Sequence, residues 1–197
     1  SGTLHGNGRL EINATSANTL DIQNQTGGVI EAGNDLRLGA LDGAQLGRVS
    51  VQDGQMLAGA EIDFRLKSLV NSGVIQGGDP RANTFSSIVL EEALSNQGTG
   101  RITLSTGPNA LGFDGVSKLA HQIIATDITN AGAIESGGDV VLYRTSNSTF
   151  TNSGSVITNG DLHFLTLGDT LSMIDPRPEA TEPVSYTHLR AHETSLH

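Results

Sequence analysis

Residues 128–142 read ITNAGAIESGGDVVL, and residues 150–164 read FTNSGSVITNGDLHF. The two stretches match at an offset of 22 residues, with an Asn, a Gly, an aliphatic residue, a Gly-Asp pair and an alternating apolar pair in the same order. Such alternation places the apolar side chains on one face of a strand. Asn, Gly and Asp between strands favour tight corners. The pair therefore predicts strands joined by corners, repeating about every 22 residues.

Looser copies of this pattern occur earlier in the chain. One runs from Leu69 through Asn71 and Gly73 to Asp79, and another runs from Asn24 to Leu38. Half-copies of the alternating pair are Leu10/Ile12, Ile62/Phe64 and Ile102/Leu104. Units of about 20–26 residues without helices are typical of a parallel β-helix. We therefore expect an all-β solenoid of about seven or eight coils, a fragment without caps, stacked about 4.8 Å apart.

The repeats are unevenly spaced between Asn71 and Asn130. Prolines within 79–81 and 107–109 predict loops that protrude from the coils there. Residues 86–95 and 116–125 could each hold a short helical turn.

Composition excludes several function classes. The net charge of −10, with scattered Lys and Arg, argues against nucleic acid and anionic membrane as partners. No apolar run of about 18 residues is present, so we expect no membrane insertion. Zero Cys is compatible with an exported protein. Because the chain has no initiating Met and no signal peptide, we expect an internal fragment whose export signal lies upstream of Ser1.

The motifs at Asn130 to Leu142 and Asn152 to Phe164 resemble repeats of the filamentous haemagglutinin family, the exoproteins of two-partner secretion. The match is next best from Asn71 to Asp79, and Asn24 to Leu38 has two extra residues before its aliphatic residue. This resemblance implies a right-handed β-helix and export through an outer-membrane transporter partner. It also implies a role in adhesion or contact-dependent inhibition at the bacterial cell surface, through a host or bacterial receptor or glycan.

The pattern stops near Asp175. The string VSYTHLRAHET at 184–194 resembles the translation of a transposase adapter used in preparing sequencing libraries. We therefore predict a β-helical shaft at 1–172, a linker-like end of the native sequence at 173–182, and a non-native, disordered or irregular tail at 183–197. His188, His192, Glu193 and His197 look like metal ligands, but by this interpretation they do not belong to the protein.

The remaining candidate site residues favour structural roles. Asp35, Asp79, Asp139 and Asp161 hold matching repeat positions, but the dense Gly-Asp pattern of calcium-binding roll repeats is missing, so we expect each to cap its own turn. Glu91 and Glu92 would point to opposite faces of a strand and so not converge on one substrate. His121 and His163 each stand alone among apolar residues, with His163 directed outward, and Tyr143 with Arg144 is a weak sugar-stacking pair.

Asn71, Asn130 and Asn152 are predicted to stack in successive corners as a hydrogen-bonded ladder. Overall, the sequence predicts a structural and interaction shaft with no catalytic residue, no cofactor and no metal ligand. An autotransporter passenger remains an alternative, and a β-helical polysaccharide-active enzyme is a third possibility.

Overall fold

The computed structural model describes residues 2–14, 20–39, 46–107, 120–145, 148–167 and 186–188, the last three by their backbone alone. The strands are β1 (Thr3–Gly6), β2 (Leu10–Ile12), β3 (Ile22–Asn24), β4 (Val29–Ala32), β5 (Leu36–Leu38), β6 (Leu46–Val51), β7 (Gln55–Ala58), β8 (Ile62–Asn71), β9 (Val74–Gly77), β10 (Ser87–Leu90), β11 (Ala93–Asn96), β12 (Arg101–Leu104), β13 (His121–Ile124), β14 (Asp127–Asn130), β15 (Ala133–Ser136), β16 (Val140–Thr145), β17 (Phe150–Asn152), β18 (Ser155–Thr158), β19 (Leu162–Leu167) and β20 (Tyr186–His188). No described residue is helical, which confirms the all-β prediction.

The strands form three columns of parallel pairs. The first column is a seven-stranded sheet in the order β1, β4, β7, β9, β12, β15 and β18. The second column contains β2, β5, the first half of β8, β10, β13, β16 and β19. The third contains β3, β6, the second half of β8, β11, β14 and β17. Because β8 belongs to both, the second and third columns make one curled sheet.

Each repeat contributes one strand to each column in chain order, and the repeat length varies with the corners. Met56 pairs with Ile75 after 19 residues, whereas Ile102 pairs with Ile134 after 32. The matching stretches that open the sequence pair at 22 residues, with Asn130 opposite Asn152 and Ile134 opposite Val156. The register read from the sequence is therefore confirmed in this part of the chain.

Alternate side chains of every column face a shared interior. In the first column these are Ile30, Met56, Ile75, Ile102 and Ile134, all buried. Burying each such side chain contributes roughly 1.5–3 kcal/mol. Thin layers of aliphatic side chains therefore replace a single thick core, as the low aromatic content of 4% requires.

A line of glycines runs beside the first column, where the chain enters each strand. A Cβ on Gly154 would lie 2.0 Å from the Gly132 carbonyl oxygen, and one on Gly132 would lie 2.1 Å from that of Gly100. The same carbonyls accept hydrogen bonds from the next repeat, as Gly132 does from Ser155 N at 2.9 Å. Close backbone approach thus explains why Gly recurs at this point of the motif.

The interrupted region differs from the prediction at both of the helical turns considered there. β10 and β11 occupy residues 87–90 and 93–96, so the helical turn considered for 86–95 is wrong. The loop expected around Asp79 is present between β9 and β10. Of the loop expected at 107–109, all but Gly107 lies outside the described residues. Residues 116–119 of the second helical turn also lie outside them, but β13 occupies residues 121–124, so the helical turn considered there is wrong.

Candidate functional site

Four buried or corner asparagines form a continuous ladder at the end of the third column. Asn71 Nδ2 donates to Asn96 Oδ1 at 2.9 Å, Asn96 Nδ2 to Asn130 Oδ1 at 2.7 Å, and Asn130 Nδ2 to Asn152 Oδ1 at 2.8 Å. Each of the first three also donates to the carbonyl at the start of a first-column strand about one repeat further along the chain, as Asn130 does to Ser155 O at 3.0 Å. The predicted ladder is confirmed, and its amides satisfy backbone carbonyls at the corner.

Asn96 was missed by sequence reasoning, although a signal for it exists. Six residues separate Asn96 from Ile102, whereas four separate Asn130 from Ile134. The same longer corner occurs between Asn24 and Ile30, which the sequence comparison had accepted as a repeat. Treating the two corner lengths as alternatives would have located Asn96.

Val51 interrupts the row of asparagines that Asn24 would otherwise extend. It lies in register between Asn24 and Asn71 and is fully buried. Asn24 therefore has no asparagine neighbour in the next repeat, and its Nδ2 donates to Gln55 O at 2.7 Å.

Two of the corner aspartates, Asp35 and Asp139, bind residues of a neighbouring repeat. Asp139 Oδ1 accepts a hydrogen bond from Asp161 N at 2.8 Å, 22 residues later. Asp35 is bound by arginines, with Arg9 at 3.2 Å and Arg37 at 3.8 Å. Asp79 binds its own turn, accepting from Arg81 N at 2.8 Å, and this hydrogen bond lowers the pKa of its carboxyl group. The capping prediction is thus confirmed for Asp79, whereas the described hydrogen bond of Asp139 goes to the neighbouring repeat.

With the repeats numbered from β1, Asp139, Asp161 and His163 come together where the sixth repeat (β15 to β17) meets the seventh, which begins with β18. One ligand atom from each lies within 4.8 Å of the other two. His163 Nε2 is 3.9 Å from Asp139 Oδ2. His163 faces away from the shared interior, as predicted, but it is buried rather than exposed. Sequence reasoning considered the aspartates and the histidine separately, so it missed this group.

Glu91 and Glu92 do not occupy a strand. They lie in the bend between β10 and β11, so the premise that they occupy a strand was wrong. Glu92 binds Lys67 at 3.4 Å and Arg48 at 4.0 Å, and so links charges across neighbouring repeats.

His121 lies inside the shared interior, fully buried, in the second column. Its Nδ1 accepts a hydrogen bond from Ser86 N at 3.0 Å, while Nε2 has no partner. Burial lowers the pKa of His121 to about 4, so the imidazole is neutral at pH 7. His121 is therefore a core residue with a titratable group, at a position where other repeats have aliphatic residues such as Val140.

Tyr143 is unavailable for stacking on a sugar because only 2% of it is exposed. It belongs to a second apolar cluster on the outer side of the second column, and sequence reasoning missed this cluster. The members of this cluster are Val89, Ala120, Ile124, Val141, Tyr143 and Leu165. Arg144 donates to Ser148 O at 2.9 Å.

The tail contributes one described element. The backbone of β20 pairs antiparallel with β19, with Thr187 opposite Phe164. The side chain of His188, and all of His192, Glu193 and His197, lie outside the described residues. The metal-like spacing of the tail therefore stays an observation on the sequence.

No family model, curated protein or solved structure matches the chain. Within the described part of the chain, no helix has the length and hydropathy that crossing a membrane requires.

Proposed function

We propose that this chain is part of the shaft of a large secreted bacterial adhesin or contact-dependent inhibition exoprotein, folded as a right-handed parallel β-helix of about seven or eight coils. The observation that carries the proposal is the side-by-side register of three strand columns with an asparagine ladder at one corner. Each coil contacts only its neighbours, which is how solenoids extend to great length. The resemblance of the 22-residue motif to filamentous haemagglutinin repeats supplies the biological setting.

A shaft needs uniform, solvated sides and strong vertical contacts. The vertical contacts here include the asparagine amides, the corner carbonyls of glycine and ion pairs such as Arg101–Glu135 at 3.3 Å. In this proposal the chain contributes length and stiffness, and receptor or glycan binding resides in the full-length protein. Export would use an outer-membrane transporter partner.

The proposal is tested by substitution into a filamentous haemagglutinin. The chain replaces an equal length of native repeats, and the exoprotein is expressed with its transporter. We expect export and surface display at the level of the parent protein. A globular domain of equal length is the control, and we expect it to reduce display. If the exoprotein carrying this chain is displayed no better than the one carrying the globular domain, the shaft proposal is contradicted.

The competing proposal is a polysaccharide-active enzyme, which predicts cleavage of a polysaccharide where the shaft proposal predicts none. We expect no release of reducing ends or unsaturated uronates from a panel of acidic and neutral polysaccharides. Turnover that disappears in Asp139→Asn would instead identify the Asp139–Asp161–His163 group as catalytic, with Asp35→Asn as the matched control.

A further inference from the structure

We propose that Asp139, Asp161 and His163 bind one divalent transition-metal ion of the zinc type, which fastens the sixth repeat to the seventh. The proposal concerns this group alone and does not depend on the proposed function of the shaft.

The fold brings the three side chains to one point. Asp139 immediately precedes β16, and Asp161 immediately precedes β19, so the two carboxylates occupy the same corner in successive repeats. His163 is the second residue of β19 and lies in register with Val141, on the outer side of the second column. Asp139 Oδ1 is held by Asp161 N at 2.8 Å, which fixes the direction of the other carboxylate oxygen.

The distances suit ligands of a shared ion. His163 Nε2 and Asp139 Oδ2 are 3.9 Å apart, which is too long for a hydrogen bond. Two ligands at about 2.0–2.2 Å from a zinc ion are separated by roughly 3.3–4 Å, depending on the angle between them. The three ligand atoms lie within 4.8 Å of one another. A small rotation of the exposed Asp161 side chain therefore brings its carboxylate to bonding distance of an ion shared with Asp139 and His163.

Comparison with the second repeat shows how the side chains at this corner differ. There, Asp35 holds the position of Asp139 and Asp161, and its carboxylate binds Arg9 and Arg37. Arg37 and His163 occupy the same column position in their repeats. The sixth and seventh repeats have Val141 and His163 at this position, so His163 places a metal-binding imidazole where the second repeat has a guanidinium.

The ligand types favour zinc over calcium. One imidazole nitrogen and two carboxylate oxygens are common zinc ligands, with water in a fourth position. Calcium takes six to eight oxygen ligands and does not favour imidazole. His163 is buried while Asp161 is exposed, so an ion reaches the group from the side of Asp161.

The test measures zinc binding by isothermal titration calorimetry at pH 7.5, with cobalt(II) absorption as a report of coordination geometry. The background chain carries His188→Gln, His192→Gln and His197→Gln, so that tail histidines do not contribute. Two variants are made in this background and compared with it. Asp139→Asn keeps the oxygen that accepts a hydrogen bond from Asp161 N, and His163→Gln removes the imidazole. Asp35→Asn is the matched control. Far-UV circular dichroism verifies folding of each variant.

We expect the background chain and Asp35→Asn to bind one zinc ion, with an absorption of tetrahedral intensity when cobalt(II) replaces zinc. Asp139→Asn and His163→Gln should each weaken binding at least tenfold. A hundredfold excess of zinc over the Kd should raise the Tm of the background chain by roughly 5–10 °C. Absence of stoichiometric binding, or an unchanged affinity in Asp139→Asn and His163→Gln, would overturn the proposal.

Discussion

Asn130 has an asparagine neighbour on both sides, and its amide makes three hydrogen bonds. Replacing it leaves the buried Asn96 amide without one partner and Ser155 O without its donor. Lost hydrogen bonds to buried groups typically cost about 1–3 kcal/mol. At the scale of the residue, the ladder is therefore a set of coupled contacts between repeats, and its inner members should matter most.

Asn130→Ala should lower the free energy of unfolding by roughly 2–3 kcal/mol in urea titrations. Asn152→Ala should cost less, because Asn152 is exposed and ends the described ladder, and neither change should affect binding by the full-length protein. The exposed Asn34→Ala serves as control and should leave stability within about 0.5 kcal/mol. Equal stability of all three variants would disprove the structural role of the ladder.

Val51 offers the converse test, because an asparagine there would close the gap between Asn24 and Asn71. Val51→Asn can donate to Asn71 Oδ1. Val49→Asn, two residues earlier on the same strand, instead buries an amide beside the apolar Leu69. We expect Val51→Asn to be more stable than Val49→Asn by about 2 kcal/mol in the same titration. Equal destabilisation would show that the column does not select for asparagine.

His121 makes stability depend on pH. Its pKa is about 4 in the folded chain and about 6.5 when unfolded, so the unfolded state takes up the proton first as the pH falls. The free energy of unfolding is therefore not reduced by His121 above pH 6.5. As the pH falls from 6.5 to 4, protonation of His121 in the unfolded state lowers this free energy progressively, by roughly 3 kcal/mol in total. His121→Asn keeps an acceptor for Ser86 N without a titrating imidazole.

Urea titrations at pH 7 and pH 4.5 should therefore show a smaller loss of stability for His121→Asn than for the parent chain. His5→Gln is the control, since His5 is exposed and hydrogen bonds to Asn7 and Glu31 raise its pKa. An identical pH dependence in His121→Asn and the parent would refute the assignment.

At the scale of the element, β8 is the most firmly held strand. Both edges are paired along its length, with β5 and β6 on one side and β10 and β11 on the other. β1, at the start of the first column, has β4 on one edge and leaves Leu4 47% exposed. Strand stability should therefore fall from the middle of the stack toward its ends.

Hydrogen exchange followed by mass spectrometry should detect this gradient. Peptides covering β8 should exchange slowest, and those covering β1 to β3 and β17 fastest, because the end repeats open without disturbing the middle. Asn96→Ala, next to β8, should raise exchange in β11 more than in β1. Uniform exchange along the chain would show that the fold opens as a single unit.

The sequence predicted these elements unevenly. The register of the strands around Asn130 and Asn152 was predicted correctly, because their corners have equal length and the motif repeats without insertion. β10 and β11 were missed as strands, because β9 and β10 are separated by a loop that hides the period. The approach of Asp139, Asp161 and His163 could not be read from one repeat, since it requires the register of two.

At the scale of the whole molecule, the central claim is that spatial distance follows the repeat number and not the sequence separation. The outward-facing column of the first sheet runs through His5, Glu31, Leu57, Gln76, Thr103, Glu135 and Ile157. Neighbouring strands are about 4.8 Å apart, so each step along this column adds the same increment. Unequal repeats of 19 and 32 residues should therefore be equivalent in height.

Spin-label distances along this column test the claim most directly, and the absence of native cysteine makes the labelling clean. Cysteine pairs replace His5 together with Thr103, Glu135 or Ile157, which lie four, five and six steps away. Double electron–electron resonance should give backbone separations of about 19, 24 and 29 Å, rising by one strand spacing per step. Distances that instead follow sequence separation, or do not increase from Thr103 to Ile157, would contradict the stacked arrangement.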